Sequence, residues 1–157
     1  TLVLEEVERF PLDVEPAFRA FAEGRAAILV RDAAYLNWRY ADRQGAGFAR
    51  VLARRAGALV GYAVRCDDRL LDWLALPADG DLVAALLDWA CAGARADGHA
   101  RLTAVVPDTA PEWLAFQRLG FRVQGTREFL CFKSFQRPAI MSWLFQHWSY
   151  TRGDTLR

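Results

Sequence analysis

The chain has 157 residues, 54% hydrophobic and 25% charged, with 20 lysines and arginines against 19 aspartates and glutamates. That is the length of one domain with a sizeable core and the balance of an ordinary folded protein, which excludes a disordered segment. A near-zero net charge with singly scattered basic residues excludes an electrostatic footprint for nucleic acid or an anionic membrane, and no apolar run approaches the ~20 residues of a spanning helix.

No signal-peptide pattern opens the chain, so the expected address is cytoplasmic. A single domain over 1–157 is expected, and the start at Thr1 rather than Met suits a piece excised from a longer protein. Cys66, Cys91 and Cys131 are far apart and lack paired metal-ligand spacing. They are expected to be buried free thiols of a reducing compartment, with no metal site and no nucleophile.

Leu2 to Phe10 alternates aliphatic and acidic residues and predicts an edge strand closed by Pro11. Asp13 opens a short helix on which Val14, Phe18 and Phe21 recur at near-helical spacing, and Gly24 stops it. The apolar run from Ala26 to Val30 leads to Asp32, an N-cap for the aromatic helix Ala33 to Tyr40. After a polar loop at 42–47, Phe48 to Arg55 and Ala58 to Cys66 predict two strands joined at Ala56-Gly57. The Asp67-Asp68 turn then leads into a third strand, Arg69 to Leu76, so the three form an antiparallel meander.

From Arg69 to Phe121 the order is apolar strand, amphipathic helix, apolar strand, short helix, which is a βαβ unit with a return to the sheet. The helix Asp81 to Ala96 carries Leu82, Leu86 and Trp89 on one line with Val83, Leu87 and Ala90 beside it. Gly98-His99 turns the chain into the strand Arg101 to Val106, with His99 expected as a solvated turn residue. Thr109 to Glu112 fits a capping box with Pro111 in the first turn, and Gly120 ends the short helix in the left-handed conformation. Arg122 to Gly125 and Glu128 to Phe135 predict the last main strands. Ala139 to Thr151 is an aromatic-rich tail.

The βαβ frame and the segment Trp113-Leu114-Ala115-Phe116-Gln117-Arg118-Leu119-Gly120-Phe121 resemble the GCN5-related N-acetyltransferase (GNAT) superfamily. Its members commonly close their second conserved helix with a Tyr-Glu-Lys-Leu-Gly-Phe-like segment. The aromatic stretches 35–40 and 148–154 are similar to those of GNAT-like proteins from bacterial polysaccharide and cell-envelope gene clusters. The resemblance implies an α/β (α+β) fold: a mixed, mostly antiparallel twisted sheet with a central βαβ unit and helices on both faces. It also implies acyl transfer from acetyl-CoA or another acyl-CoA, as co-substrate, to an amine by direct attack.

Carried onto this chain, the resemblance places pantetheine along Leu74, Ala75 and Leu76, and the pyrophosphate near Gly80, Asp81 and Leu82. The family's Tyr falls on Phe116, and its early Asn on Thr109. Asp72 stands near where the superfamily often carries a base, while Tyr35, Arg39, Tyr62 and Asp154 are candidates to line the acceptor pocket. The polar marks of the family are missing. Residues 78–85 hold one glycine, two aspartates and no Arg or Gln, and those carboxylates repel a pyrophosphate while serving as helix caps. Two functions stay open: an acyl-CoA-dependent N-acyltransferase, and a degenerate GNAT-fold module that no longer binds CoA and works through a partner. Association as a homodimer or with a partner domain also stays open.

Overall fold

The computed structural model describes residues 1–43, 45–76, 78–125 and 141–154. Its main sheet runs β1 (Leu2–Glu6), β3 (Ala49–Arg55), β4 (Ala58–Cys66), β5 (Arg69–Leu74) and β6 (Thr103–Ala104), each beside the next. The first three pairings are antiparallel and β5 with β6 is parallel. This is the mixed, mostly antiparallel sheet expected from the sequence, with β1 at the edge.

Strand alternation then divides the core in two. Leu52, Tyr62, Val64 and Leu74 face α1 (Val14–Ala22) and α2 (Ala33–Tyr40), whose Val14, Phe18, Phe21, Leu36 and Tyr40 complete that layer. Val51, Ala53, Ala63, Trp73 and Ala75 face the other way, onto Leu82, Val83, Leu86, Leu87 and Ala90 of α3 (Gly80–Ala96) and Phe116 of α4 (Glu112–Arg118). Helices therefore cover both faces. The strands around the β3–β4 turn close through Ala56 and Gly57, both at positive φ.

Asp32 caps α2 by accepting from the Tyr35 amide at 2.7 Å, and Gly120 ends α4 at φ 92°. The capping box at α4 is not formed. Pro111 precedes the helix with no side-chain cap, and the Glu112 carboxylate turns inward to Arg25 instead. A buried guanidinium is a stronger partner for that carboxylate than a backbone amide. The strand expected over Arg101 to Val106 shortens to Thr103–Ala104, and 122–125 form no strand; the strand expected over 128–135, and Cys131, lie outside the described residues.

In the tail, α5 (Met141–His147) is followed by β7 (Trp148–Ser149) and a single 3-10 turn, Arg152–Asp154. β7 pairs in parallel with β2 (Ala27–Ile28), at Ala27↔Trp148 and Ile28↔Ser149. That second small sheet carries 148–154 alongside β5, where Gly153 and Thr151 lie against Leu71 and Asp72. Among the described residues no helix is long and apolar enough to cross a membrane.

Candidate functional site

Three features meet where β5 leaves β6. The two strands pair only at Arg69↔Thr103 and Leu70↔Ala104 and then part. Side chains occupy most of the wedge that opens, since Trp73 lies 5.1 Å from Phe116 between ring centroids, and Phe116 in turn 5.0 Å from Phe121. What remains is a cavity of about 20 Å³, partly open to solvent, with Trp73, Val106, Pro107, Glu112, Arg25 and Tyr150 in its walls. Beyond the end of β5, Leu76, Ala78, Asp79, Gly80 and Asp81 line a wide, open depression at the start of α3.

Behind the cavity lies a buried polar nest. Arg31 and Asp72 are 1% and 0% exposed. Arg31 Nε donates to both Asp72 oxygens at 2.9 and 3.1 Å, and Nη2 donates to Asp154 at 2.8 Å and to Thr151 at 3.2 Å. Tyr40 and Thr151 hydroxyls and the Trp73 amide also donate to Asp72. Gly153 sits so close that an added Cβ would lie 3.2 Å from both Asp72 Oδ2 and the Leu71 carbonyl. Burial pushes the Asp72 carboxyl above its ordinary value, with Arg31 pulling it back. Asp72 and Asp154 share the Arg31 guanidinium and are hydrogen-bonded by hydroxyl and amide donors, which offsets the cost of burying them.

A second buried ion pair forms the cavity wall. Glu112 accepts from Arg25, and the two side chains are 4% and 9% exposed. Arg25 is itself tied down, with Nε on the Phe21 carbonyl at 3.1 Å, Nη1 on the Ser149 hydroxyl at 3.3 Å, and its guanidinium over the Phe21 ring.

The residues singled out from sequence fall into three groups. Leu76, Gly80 and Asp81 line the depression at the start of α3, whereas the Leu82 side chain turns into the core, within van der Waals reach of Gly61. Asp79 caps α3 by accepting from the Leu82 amide, and is paired with Arg55 at 2.6 Å. One of the two carboxylates expected to repel a pyrophosphate is thus neutralised. Leu74, Ala75 and Phe116 are buried beside the wedge.

Asp72 lies in the polar nest, out of contact with solvent. Arg39 is buried too, donating from Nε to the Gly153 carbonyl at 3.1 Å, and Tyr62 is fully buried against Phe10, its hydroxyl without a hydrogen-bond partner among the described residues. Neither lines the cavity. Tyr35 is half-buried beside Trp38, and burial followed by the charges of Asp154 and Asp72 pushes its phenol up to about 12. Asp154, a candidate to line the acceptor pocket, accepts from Arg31 and so anchors the 148–154 segment. The thiols of Cys66 and Cys91 are free, and burial raises both above the ordinary value, which disfavours the nucleophilic thiolate.

Arg25, Arg31, Glu112 and Thr151 did not stand out in the sequence. Arg31 follows an apolar run and precedes a helix cap, and Glu112 sits where a capping box explains it. The ion-pair partners of Arg25, Arg31 and Glu112 lie 41 to 123 residues away, beyond any local pattern.

No family model matches the sequence, and no curated protein matches it. Solved structures do share the fold. A ribosomal-protein-alanine N-acetyltransferase from Brucella melitensis biovar Abortus 2308 superposes with a TM-score of 0.64 at 15% identity, over 85% of this chain and 99% of that one. A GNAT-family acetyltransferase from Desulfovibrio desulfuricans gives 0.56 at 21% identity, over 80% and 87%. An aminoglycoside acetyltransferase from an uncultured soil metagenomic sample gives 0.58 at 11%, over 86% and 97%.

Proposed function

We propose that this chain, whose fold is that of the GNAT acetyltransferases, is an acyl-CoA-dependent N-acyltransferase. In such a reaction the amine nitrogen attacks the thioester carbonyl. An amide bond forms, the carbon–sulfur bond breaks, and the proton lost by nitrogen is balanced by one gained at sulfur. Catalysis of this kind asks the protein chiefly to hold two partners in line.

The observation that carries the proposal is the open depression past the end of β5, at the start of α3, in a sheet whose β5 and β6 part beyond Leu70. Strand edge at Leu74 to Leu76 offers backbone groups to an amide-bearing chain, and the first amides of α3 favour an anion. Arg55, paired with Asp79 at that helix start, brings a guanidinium within reach of the same place. The residues present therefore suit a pantetheine chain, and the pairing of Arg55 with Asp79 offsets one of the charges that would repel a phosphate there. Asp72, fully enclosed by donors, acts on this reading as a positioning residue that holds β5 and the 148–154 segment together.

Acetyl-CoA titration tests the proposal. Saturable binding raises stability by about 2.7 kcal/mol at a hundredfold excess over Kd. An added Cβ at Gly80 meets nothing within 4 Å, so Gly80→Phe is expected to fill the depression without disturbing the fold. It should weaken acetyl-CoA while leaving the unliganded melting temperature unchanged. No binding at millimolar acetyl-CoA or longer acyl-CoAs would overturn the transferase and leave the non-catalytic module as the function of this fold.

A further inference from the structure

The outer side of β1 is an open edge of the main sheet. Among the described residues nothing pairs with it, since β1 stands first in the strand order and its neighbour there is β3. We propose that this edge binds a second copy of the same chain, strand against antiparallel strand about a two-fold axis at Val3, so that one sheet runs through both molecules. The pairing does not depend on the transferase reading.

The direction of each main-chain group locates the free ones. The Val7 amide donates to the Arg50 carbonyl at 3.1 Å, and backbone groups alternate in direction along a strand, so those of Glu5 and Val3 also turn to β3. Leu2, Leu4 and Glu6 therefore present their amides and carbonyls outward, where they specify an extended partner. The edge is also held ready. Glu5 pairs with Arg54 at 3.3 Å, and Glu6 accepts from Trp89 Nε1 at 2.9 Å. With β1 fixed in this way, little further ordering is needed on binding.

Side chains choose the partner and the register. All of β1 but Leu2 is exposed, Val3 by 55% and Leu4 by 36%. Leu2 packs toward α3 and Val7 toward α1, so Leu2 and Leu4 share one face of the strand and Val3 lies on the other. A two-fold axis at Val3 sets the two Val3 side chains against each other on one face, and Leu2 against Leu4 twice on the other. Leu2 and Leu4 then form the hydrogen-bonded pairs, as their outward amides require. Moving the axis to Leu4 sets Leu2 against Glu6 and Val3 against Glu5. Moving it to Glu5 brings two carboxylates together, which destabilises a cross-strand pair. The Leu-Val-Leu triplet is thus complementary to itself, with the acidic residues of the two copies at opposite ends. A two-fold contact of this kind uses the edge once and closes.

Sedimentation equilibrium of the native chain, from about 10 μM to about 1 mM, tests this. So short a strand makes an interface of the small, transient class, so monomer is expected at the low end and dimer at the high end. Leu4→Pro removes an outward donor from each copy and leaves the β1–β3 ladder its bonds. Val3→Lys sets two ammonium groups against each other at the axis. Each should weaken the dimer by about 10-fold or more, while dilute samples melt with the native protein.

Cross-linking reads the register. Val3→Cys should give a disulfide-linked dimer joined through residue 3, told apart from links through Cys66, Cys91 and Cys131 by peptide mass mapping, whereas Leu4→Cys should not link through residue 4. Should Leu4→Pro fail to fold, Val3→Lys and the two cysteine variants decide. A monomer at every concentration, a dimer that the charge and proline variants leave intact, or linkage through residue 4 rather than residue 3 overturns the proposal. The first of these outcomes leaves the edge to an extended segment of a different chain.

Discussion

Replacing Arg31 by Met keeps the length of the side chain and removes the cation at the centre of the nest. Asp72, with no exposure, and Asp154, 11% exposed, are then left, among the described residues, with hydroxyl and amide donors in place of the guanidinium. Breaking a buried ion pair from one side costs about 3–5 kcal/mol, because the desolvation of the survivor is no longer compensated. Against a total of about 5–15 kcal/mol, and at about 2–4 °C per kcal/mol for a chain of this size, melting should fall by about 6–20 °C. Urea unfolding followed by tryptophan fluorescence measures it.

The pH dependence identifies the cause. Burial already raises the Asp72 carboxyl, and Arg31 is the largest influence pulling it down, so the variant's folded carboxyl lies further above its unfolded value. A raised acid makes the folded state bind more protons than the unfolded state, so stability falls as pH rises between the two values and recovers on acidification. The deficit at pH 7.5 should therefore shrink at pH 5. A loss under about 1 kcal/mol, the scale of an exposed pair, or a deficit that pH does not change, would refute the electrostatic account of the nest.

Further outcomes follow from other contacts. Burial is the first cause raising the phenols of Tyr35, Tyr40, Tyr62 and Tyr150, which are all four tyrosines of the chain. Folded phenols raised above the unfolded value make stability fall as pH climbs past the ordinary tyrosine range. Absorbance titration should show no tyrosinate near pH 10 until the protein unfolds, and a phenol titrating normally in the native state would contradict this. Gly153→Ala pushes a methyl group into Tyr40 and Asp72 and should cost about 1–3 kcal/mol in urea unfolding, as overpacking does; a neutral result would show that the 152–154 turn is not seated there. Phe116→Ala, between Trp73 and Phe121, should cost about 3–5 kcal/mol, with a loss below 1 kcal/mol counting against a packed wedge.

Much of the frame could be read without coordinates because it is written locally. Val14, Phe18 and Phe21 share a helix face, Asp32 caps the next helix, and Ala56-Gly57 turns the hairpin. Each rests on spacing of four residues or fewer, or on the conformational needs of one turn. The candidate site was legible only where it borders those elements, as at Leu76 and Gly80. Glu112 shows why the rest was not: its sequence neighbours make it a cap, and only the placement of α1 brings Arg25 near enough to claim it. Asp72 shows the same limit, since a lone carboxylate in a strand carries no mark of which of many arginines will meet it.

The 148–154 segment joins β2 and the nest across more than a hundred residues of chain. During synthesis, every other partner of Arg31 and Asp72 emerges from the ribosome well before Thr151 and Asp154 do. Closing so long a loop adds little entropy beyond that of a shorter one, but it cannot begin until Thr151 and Asp154 have been made. A nascent chain therefore passes through an interval in which β3, β4, β5 and α3 can assemble while Arg31 still lacks one of its two carboxylates. Docking of 148–154 completes the nest, and a chaperone that holds the chain before then would find its handle at β2 and the uncovered side of β5 around Asp72.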